Sequence, residues 1–292
     1  MWGNRKINIL IIGGNRFVGK ALSRSLCIDH VVDVFNRSGT GHDGVRIIKG
    51  DRNNERDLNK ISFQKYDVIV DMCLFEPKQF ELINKMIDVA KTHYIFISSG
   101  AAYKDTNLFP ISENFVLGGM KSFKTYGVNK SEIERLINKT QIIYTILRPA
   151  YIDGIDSHIP RMAEYFYKLL KAEKFYVTHH KQSFVLVQDM VKCLECVIQN
   201  RAIVKRETYN ICNNDFISMY DLATVIKKFL KIKKSFFSCS ETNTLFAPIN
   251  FIFTNEKIKS DLGIEFENIS ASLDHFYKWF LNKGVNIYGY DL

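Results

Sequence analysis

The chain has 292 residues, a formal net charge of +9 and a composition that is 46% hydrophobic with only five prolines. That is enough apolar length for one large or two modest globular domains, and it excludes a disordered, fibrous or low-complexity chain. Apolar runs such as residues 7–12 and 67–73 are far shorter than the ~20 residues a bilayer-spanning helix requires, so no membrane partner is expected. Residues 1–6 pass straight into the first apolar run with no cleavable signal, which makes the cytoplasm the expected location. Six cysteines are scattered without a framework. Cys193 and Cys196 fall in a helical pattern without a second ligand pair, so reduced thiols and no metal site are expected. The positive charge raises nucleic acid as a partner, but the densest basic run, residues 227–234, keeps a helix-like apolar stripe and reads as a solvated face.

In chain order, residues 7–12 form a short, β-branched run of the kind buried on both faces of a parallel sheet. They lead into Gly13-Gly14-Asn15-Arg16-Phe17-Val18-Gly19 and then a helical pattern. Strand, glycine turn and helix together are the context of a dinucleotide-binding turn. Gly13 permits the tight turn, the helix N-terminus offers free N–H groups to a diphosphate, and Gly19 allows close helix packing on the sheet. The middle glycine of the usual pattern is replaced by Arg16. A second strand, residues 31–35, ends at Asn36 and Arg37, where an NAD-selective site places a carboxylate. A 2′-phosphate would meet the Arg37 cation there, with Arg16 as a second, so NADP is favoured over NAD.

Further strands are expected at 45–51, ending in Asp51 and Arg52, at 65–73, at 93–103, which carries Ser98 and Ser99, and at 141–147. Helical stripes lie at 80–90 and after Tyr126. Six strands with helices between most of them in about 150 residues imply a doubly wound parallel sheet. Its ligand site belongs at the carboxyl ends of the strands. Residues 1–150 are therefore assigned to a dinucleotide-binding domain, to which strands or helices of the later chain can add. Residues 151–292, with helical stretches at 160–171, 219–230 and 271–282 and short strands at 184–187 and 208–211, are assigned mainly to a smaller mixed substrate-binding lobe.

Tyr126 and Lys130 are four apart and fall on one face of their helix. A phenol titrates near pH ~10. A fixed ammonium beside it favours the phenolate and lowers that value, which suits the pair to proton transfer.

These residues resemble the extended short-chain dehydrogenase/reductase superfamily, the group that handles nucleotide-linked sugars. The resemblance rests on the Gly13–Gly19 turn, Asp51, the Ser98-Ser99 strand end, Tyr126-Gly-Val-Asn-Lys130, Leu147-Arg148-Pro149, and the stretch from Phe184 to Asp189. The Arg16 and Asn36-Arg37 variants are similar to a branch that includes RNA-associated chloroplast proteins and many bacterial epimerase/dehydratase-like chains. The resemblance implies Ser99, Tyr126 and Lys130 as catalytic residues. It implies a cofactor contact set of Gly13, Asn15, Arg16, Phe17 and Gly19 in the turn, Asn36 and Arg37 after the second strand, Asp51 and Arg52 after the third, and Lys130.

The 4,6-dehydratase chemistry of the superfamily needs an acid and a base where this chain has Gly100 and Ala101, and neither moves a proton. The common Tyr-Gly after the Arg-Pro marker is Asp153-Gly154 here. The expected activity is NADPH-dependent reduction of a nucleotide-diphosphate-linked 4-keto-6-deoxy sugar, with thymidine as the expected nucleoside. An epimerase is the alternative within enzymes. An RNA-binding or nucleotide-sensing protein is the alternative outside them, and a homodimer is left open.

Overall fold

The computed structural model describes residues 6–290 and 292, apart from 158 and 243; residues 1–5, read above for a leader, lie outside the described residues. The first half runs β1 (Asn8–Ile12), α1 (Phe17–Leu26), β2 (Val31–Asn36), β3 (Arg46–Lys49), α2 (Glu55–Leu58), β4 (Val68–Asp71), α3 (Pro77–Asn84), β5 (His93–Ile97), α4 (Lys124–Asn138) and β6 (Ile143–Pro149). The second half continues β7 (Tyr151–Asp153), α5 (Arg161–Leu170), β8 (Phe175–Val177), β9 (Lys181–Leu186), α6 (Val187–Gln199), β10 (Glu207–Ile211), β11 (Phe216–Ser218), α7 (Met219–Phe229), β12 (Phe237–Cys239), α8 (Glu256–Leu262) and α9 (Ile269–Trp279).

Seven strands form one sheet in the order β10-β6-β5-β4-β1-β2-β3, with every neighbouring pair parallel. The chain winds outward from β1 to β3, then returns to β4 and winds the other way. This is the α/β doubly wound architecture, with its crevice at the reversal between β1 and β4. Alternation along each strand feeds two cores. Ile9, Ile11, Val32 and Val34 pack under α1 and α6, while Leu10, Ile12, Phe35 and Phe96 face Phe80, Ile83, Ile133 and Ile137 of α3 and α4. The seventh strand, β10, comes from beyond residue 200 and pairs with β6.

Several predicted boundaries move. The helix expected at 80–90 is α3, three residues earlier, because Pro77 occupies its first turn and Glu76 and Gln79 cap it reciprocally. The strand expected through residue 103 stops at Ile97, because Ser99 Oγ accepts the Ala101 N–H at 3.1 Å and turns the chain into a 3₁₀ turn, Gly100–Ala102. The remaining strands make two small sheets, β11-β9-β7 and β12-β8. These pack with α5, α7 and α9 around an aromatic core that includes Phe166, Phe175, Phe184 and Phe246.

A buried polar chain ties α4 to the sheet. Glu134, fully buried, accepts the Ser98 hydroxyl at 2.5 Å and takes Arg148 in a two-pronged pair, with Nη2 at 2.6 Å and Nε at 3.0 Å. Arg148 Nη1 donates to Tyr103 Oη at 2.8 Å, and Tyr103 donates in turn to Asn210 Oδ1 of β10 at 2.6 Å. Every member is buried, so each lost partner strands a polar or charged group away from water. Glu134→Ala leaves the Arg148 guanidinium without its counter-charge and is expected to cost about 3–5 kcal/mol; denaturant unfolding measures this, and a loss under 1 kcal/mol contradicts the account.

Candidate active site

The carboxyl ends of β1, β2, β4, β5 and β6 open into a cleft of about 830 Å³ whose far wall comes from the second half of the chain. At β1, Gly13 takes φ +90°, which favours glycine, and its N–H closes the turn onto Phe35 O of β2 at 2.9 Å. Gly19 lies where a Cβ would stand 2.6 Å from Gly13 O, so it serves the approach of α1 to the turn itself, rather than to the sheet as the sequence suggested. Arg16 occupies the helix cap with φ −137° and ψ 152°, extended backbone that needs no glycine. The strain falls on Phe17, at φ +42°.

Asn36 does not face a ligand as a free amide. Its Oδ1 accepts the Ser38 hydroxyl and the Gly39 N–H, each at 2.8 Å, and its Nδ2 donates to Thr40 O at 2.9 Å. It therefore moulds the loop that presents Arg37, which is exposed, lines the cleft and has no ion pair among the described residues. Asn15 crosses from the glycine turn to this loop, donating to Ser38 Oγ at 2.9 Å and Thr40 Oγ1 at 3.3 Å.

Asp51 and Arg52 both line the cleft. Asp51 Oδ1 accepts from the Asn53 N–H and side chain. Arg52 departs from its expected role: its guanidinium is buried in a fork-to-fork pair with Asp71, at 2.7 and 2.9 Å. Asp71 also accepts Tyr94 Oη at 2.7 Å. Only Arg52 Nε is left without a partner, so the residue braces β4 instead of offering a fork to a ligand.

Ser99, Tyr126 and Lys130 meet at the end of β5. Gly127 is what admits the helix: a Cβ there would stand 2.4 Å from Ala101 O. α4 can therefore press onto the turn capped by Ser99 and bring Tyr126 to the Ser99 hydroxyl. Tyr126 leaves 39% of its surface exposed, yet its phenolic end is deep enough that burial raises its pKa, with Ser99 pulling the other way. This corrects the expectation that Lys130 lowers it.

The reason is visible at Lys130. Its Nζ lies 5.7 Å from the Tyr126 ring centre and donates to Leu74 O at 2.9 Å and Ile97 O at 2.7 Å. Burial pushes the Lys130 pKa down to about 7, against a raising pull from Asp71. Two of its three N–H groups are thus spent on backbone, and its charge is penalised rather than projected onto the phenol.

Residues that the sequence reading did not single out complete the walls. Phe75, held by Asn129 Nδ2 donating to its carbonyl at 2.9 Å, sits 6.4 Å from the Tyr126 ring. Phe123, Tyr151, Phe251 and Arg161 line the opposite side. Phe75 follows a strand end and was findable by that rule; the others come from four separate parts of the chain, Tyr151 opening β7 and Arg161 opening α5, with no motif. Among the described residues, no group of three or more His, Cys, Asp or Glu is placed to hold a metal ion.

The model of the NAD dependent epimerase/dehydratase family matches residues 9–212. The fold is similar to UDP-glucose 4-epimerase of Thermotoga maritima, solved with UDP-glucose (TM-score 0.77, 18% identity, 94% of this chain and 99% of that one). It is also similar to dTDP-glucose 4,6-dehydratase of Bacillus anthracis, solved with NAD (TM-score 0.78, 16% identity, 95% and 97%). In sequence, a chloroplast stem-loop binding protein of 41 kDa from Arabidopsis thaliana is 26% identical over 243 residues, covering 75% of this chain and 62% of that protein. The match thus spans less than two-thirds of the Arabidopsis protein. The chain belongs to the NAD dependent epimerase/dehydratase family.

The Lys130 value has a consequence for stability. Folded, Lys130 gives up its proton near pH 7, whereas an unfolded lysine keeps it to about pH 10.4. Between those values unfolding takes up a proton, so this side chain makes stability rise with pH. The gain in unfolding free energy from pH 6.5 to pH 9.5 should be smaller in Lys130→Met than in the parent protein; equal gains contradict the assignment.

Proposed function

We propose that the protein is an NADP-dependent oxidoreductase that reduces a keto group on a nucleotide-linked sugar. The observation that carries this is the meeting of Tyr126, Ser99 and Lys130 at one strand end of an 830 Å³ cleft. The glycine turn fits a diphosphate, since Gly13 is at positive φ and a Cβ at Gly19 would collide with the turn. N–H groups at the start of α1 would hold that diphosphate. Arg37 would hold a 2′-phosphate, and the remaining Lys130 N–H would hold a ribose. The nicotinamide, when bound, supplies the hydride.

The protein's part is positional and protic. Ser99 would orient the substrate oxygen, and a donor of this kind is commonly worth on the order of 10²–10³ in rate. Tyr126 would give its proton to that oxygen, and a phenol whose pKa is raised by burial is protonated at neutral pH. That state suits reduction, in which a carbonyl gains a proton. The 4-keto-6-deoxy sugar and its thymidine diphosphate link are inferred from the family. A cytoplasmic location completes the proposal. No helix of the described residues is long and apolar enough to cross a membrane.

Stoichiometric loss of NADPH absorbance with keto-sugar supports reduction; interconversion without net loss of cofactor identifies an epimerase. Tyr126→Phe should lower kcat by about 10²–10⁴ while NADPH affinity stays within twofold, and retained turnover would remove Tyr126 from this role. Arg37→Ala should weaken NADPH by roughly 10–100-fold, the value of a charge-assisted contact, and leave NADH nearly unchanged. Equal losses for the two cofactors count against the 2′-phosphate assignment.

The similarity to the Arabidopsis stem-loop binding protein favours a second reading, RNA binding on the same fold. A steeply salt-dependent RNA affinity unaffected by Tyr126→Phe would support it.

A further inference from the structure

The densest basic run of the sequence, residues 227–234, does not stay on one helix. α7 ends at Phe229, so Lys227 and Lys228 lie in its last turn, while Lys231, Lys233 and Lys234 lie in the loop that leads to β12. A second basic turn, Lys171 to Lys174, leads from α5 to β8. The two turns close alike. The Glu173 N–H donates to Lys168 O at 2.9 Å and the Ile232 N–H to Lys227 O at 3.1 Å, with Ala172 and Lys231 each at φ +58°. This is the Schellman closure of a helix end. β8 and β12 then pair in parallel, with Phe175 opposite Phe237 and the Phe175 N–H donating to Phe236 O at 3.1 Å. Two basic turns far apart in sequence therefore meet at one end of one small sheet.

Lysines at the carboxyl end of a helix offset its dipole, and this accounts for Lys168, Lys227 and Lys228. It does not account for Lys174, Lys233 and Lys234, which stand past the helix ends. All three are exposed and make no ion pair among the described residues. Residues 222–240 contain no Asp or Glu. The acids of α5 and its turn are already engaged: Glu173 pairs with Lys168 at 3.8 Å, and Glu164 takes Lys168 at 3.3 Å and the Tyr290 hydroxyl at 2.6 Å.

The small sheet is one-sided. Phe175 and Val177 are buried in the aromatic core, and Tyr176 between them is 48% exposed. Beside it lies a hollow of about 210 Å³ lined by Tyr176, Leu245, Lys168, Lys174 and Glu164. An exposed ring bordered by unpaired lysines has the composition that takes single-stranded nucleic acid: the ring stacks a base and the ammoniums meet successive phosphates. A duplex keeps its bases stacked inside, so it would use the lysines and not the ring. None of these side chains lines the cleft. α5 begins there at Arg161, and at 1.5 Å per residue its far end is about 14 Å away.

We infer that this face of the small sheet binds a single-stranded RNA segment, with one base on Tyr176 and phosphates on Lys174, Lys233 and Lys234. The inference rests on the RNA-binding reading and gives it a location outside the cleft. Dinucleotide and RNA then occupy the chain independently.

Fluorescence anisotropy with the full chain tests this, using a labelled short oligoadenylate and an RNA duplex of the same length; phosphatidylserine vesicles are tested by co-sedimentation. The single strand should bind more tightly than the duplex, and saturating NADPH should not displace it. Tyr176→Ala should weaken oligoadenylate roughly 5–100-fold at fixed salt, the worth of one stacked base, and leave the duplex unchanged. Lys174→Gln, Lys233→Gln and Lys234→Gln together should flatten the slope of log affinity against log salt by about 2, at about 0.7 per phosphate. NADPH affinity and melting temperature should stay near parental values in both variants.

Displacement of the RNA by NADPH overturns the inference, as does an unchanged affinity in Tyr176→Ala or an unchanged slope in the lysine variant. Each of these leaves RNA binding to another part of the chain. Duplex binding as tight as that of the single strand overturns it too, because the ring then does nothing. Vesicle binding without oligoadenylate affinity overturns it in favour of a membrane surface. No RNA affinity at all ends both the inference and the RNA-binding reading. None of these outcomes touches the oxidoreductase reading, which stands or falls on NADPH consumption and on Tyr126→Phe.

Discussion

The pair between Glu134 and Arg148 sits where helix and sheet must be locked together for anything at the strand ends to have a fixed shape. Glu134 is one turn along α4 from Lys130, and Arg148 is near the end of β6. Because both charges are buried, the penalty for separating them is large, and α4 has one favourable rotation against the sheet. That rotation is the one that carries Gly127 onto Ala101 O and sets Tyr126 beside the Ser99 hydroxyl. Ser98, bonded to Glu134, and Ser99, capping the next turn, are adjacent, so the same contact governs the strand end and the helix face.

Electrostatics at the cleft follow from how much water each group has lost. Lys130 is almost wholly enclosed and pays for it with a weakened charge. Tyr126 keeps an exposed face but holds its proton more tightly than a free phenol. Arg37 and Arg16, by contrast, stand in solvent at the mouth. Fully hydrated cations at the mouth and desolvated groups inside suit a site that attracts an anion first and does proton chemistry deeper in.

What could be read from the sequence was what local spacing encodes. The glycine turn, the parallel sheet and the four-residue separation of Tyr126 from Lys130 each depend on neighbours within one or two turns of chain, and these were found where expected. Arg52 shows the opposite case: a cation at a strand end looks available until Asp71, 19 residues away, is seen to hold it. The lowered phenol value failed for a similar reason. Residue spacing says that Lys130 lies near Tyr126, but only the fold shows that it is turned to Leu74 O and Ile97 O. Arg161 carried no signal at all, since the rings beside it, Tyr151 and Phe246, come from 10 positions before and 85 after it.

Asn15 has a further implication. By reaching from the turn after β1 to both hydroxyls of the loop after β2, it acts as a strut between two ends of one groove, beyond the point where the backbone joins them at Gly13 and Phe35. A strut transmits displacement in both directions. Shortening it would loosen grip on the middle and the outer part of an extended ligand together, whatever that ligand's terminal decoration.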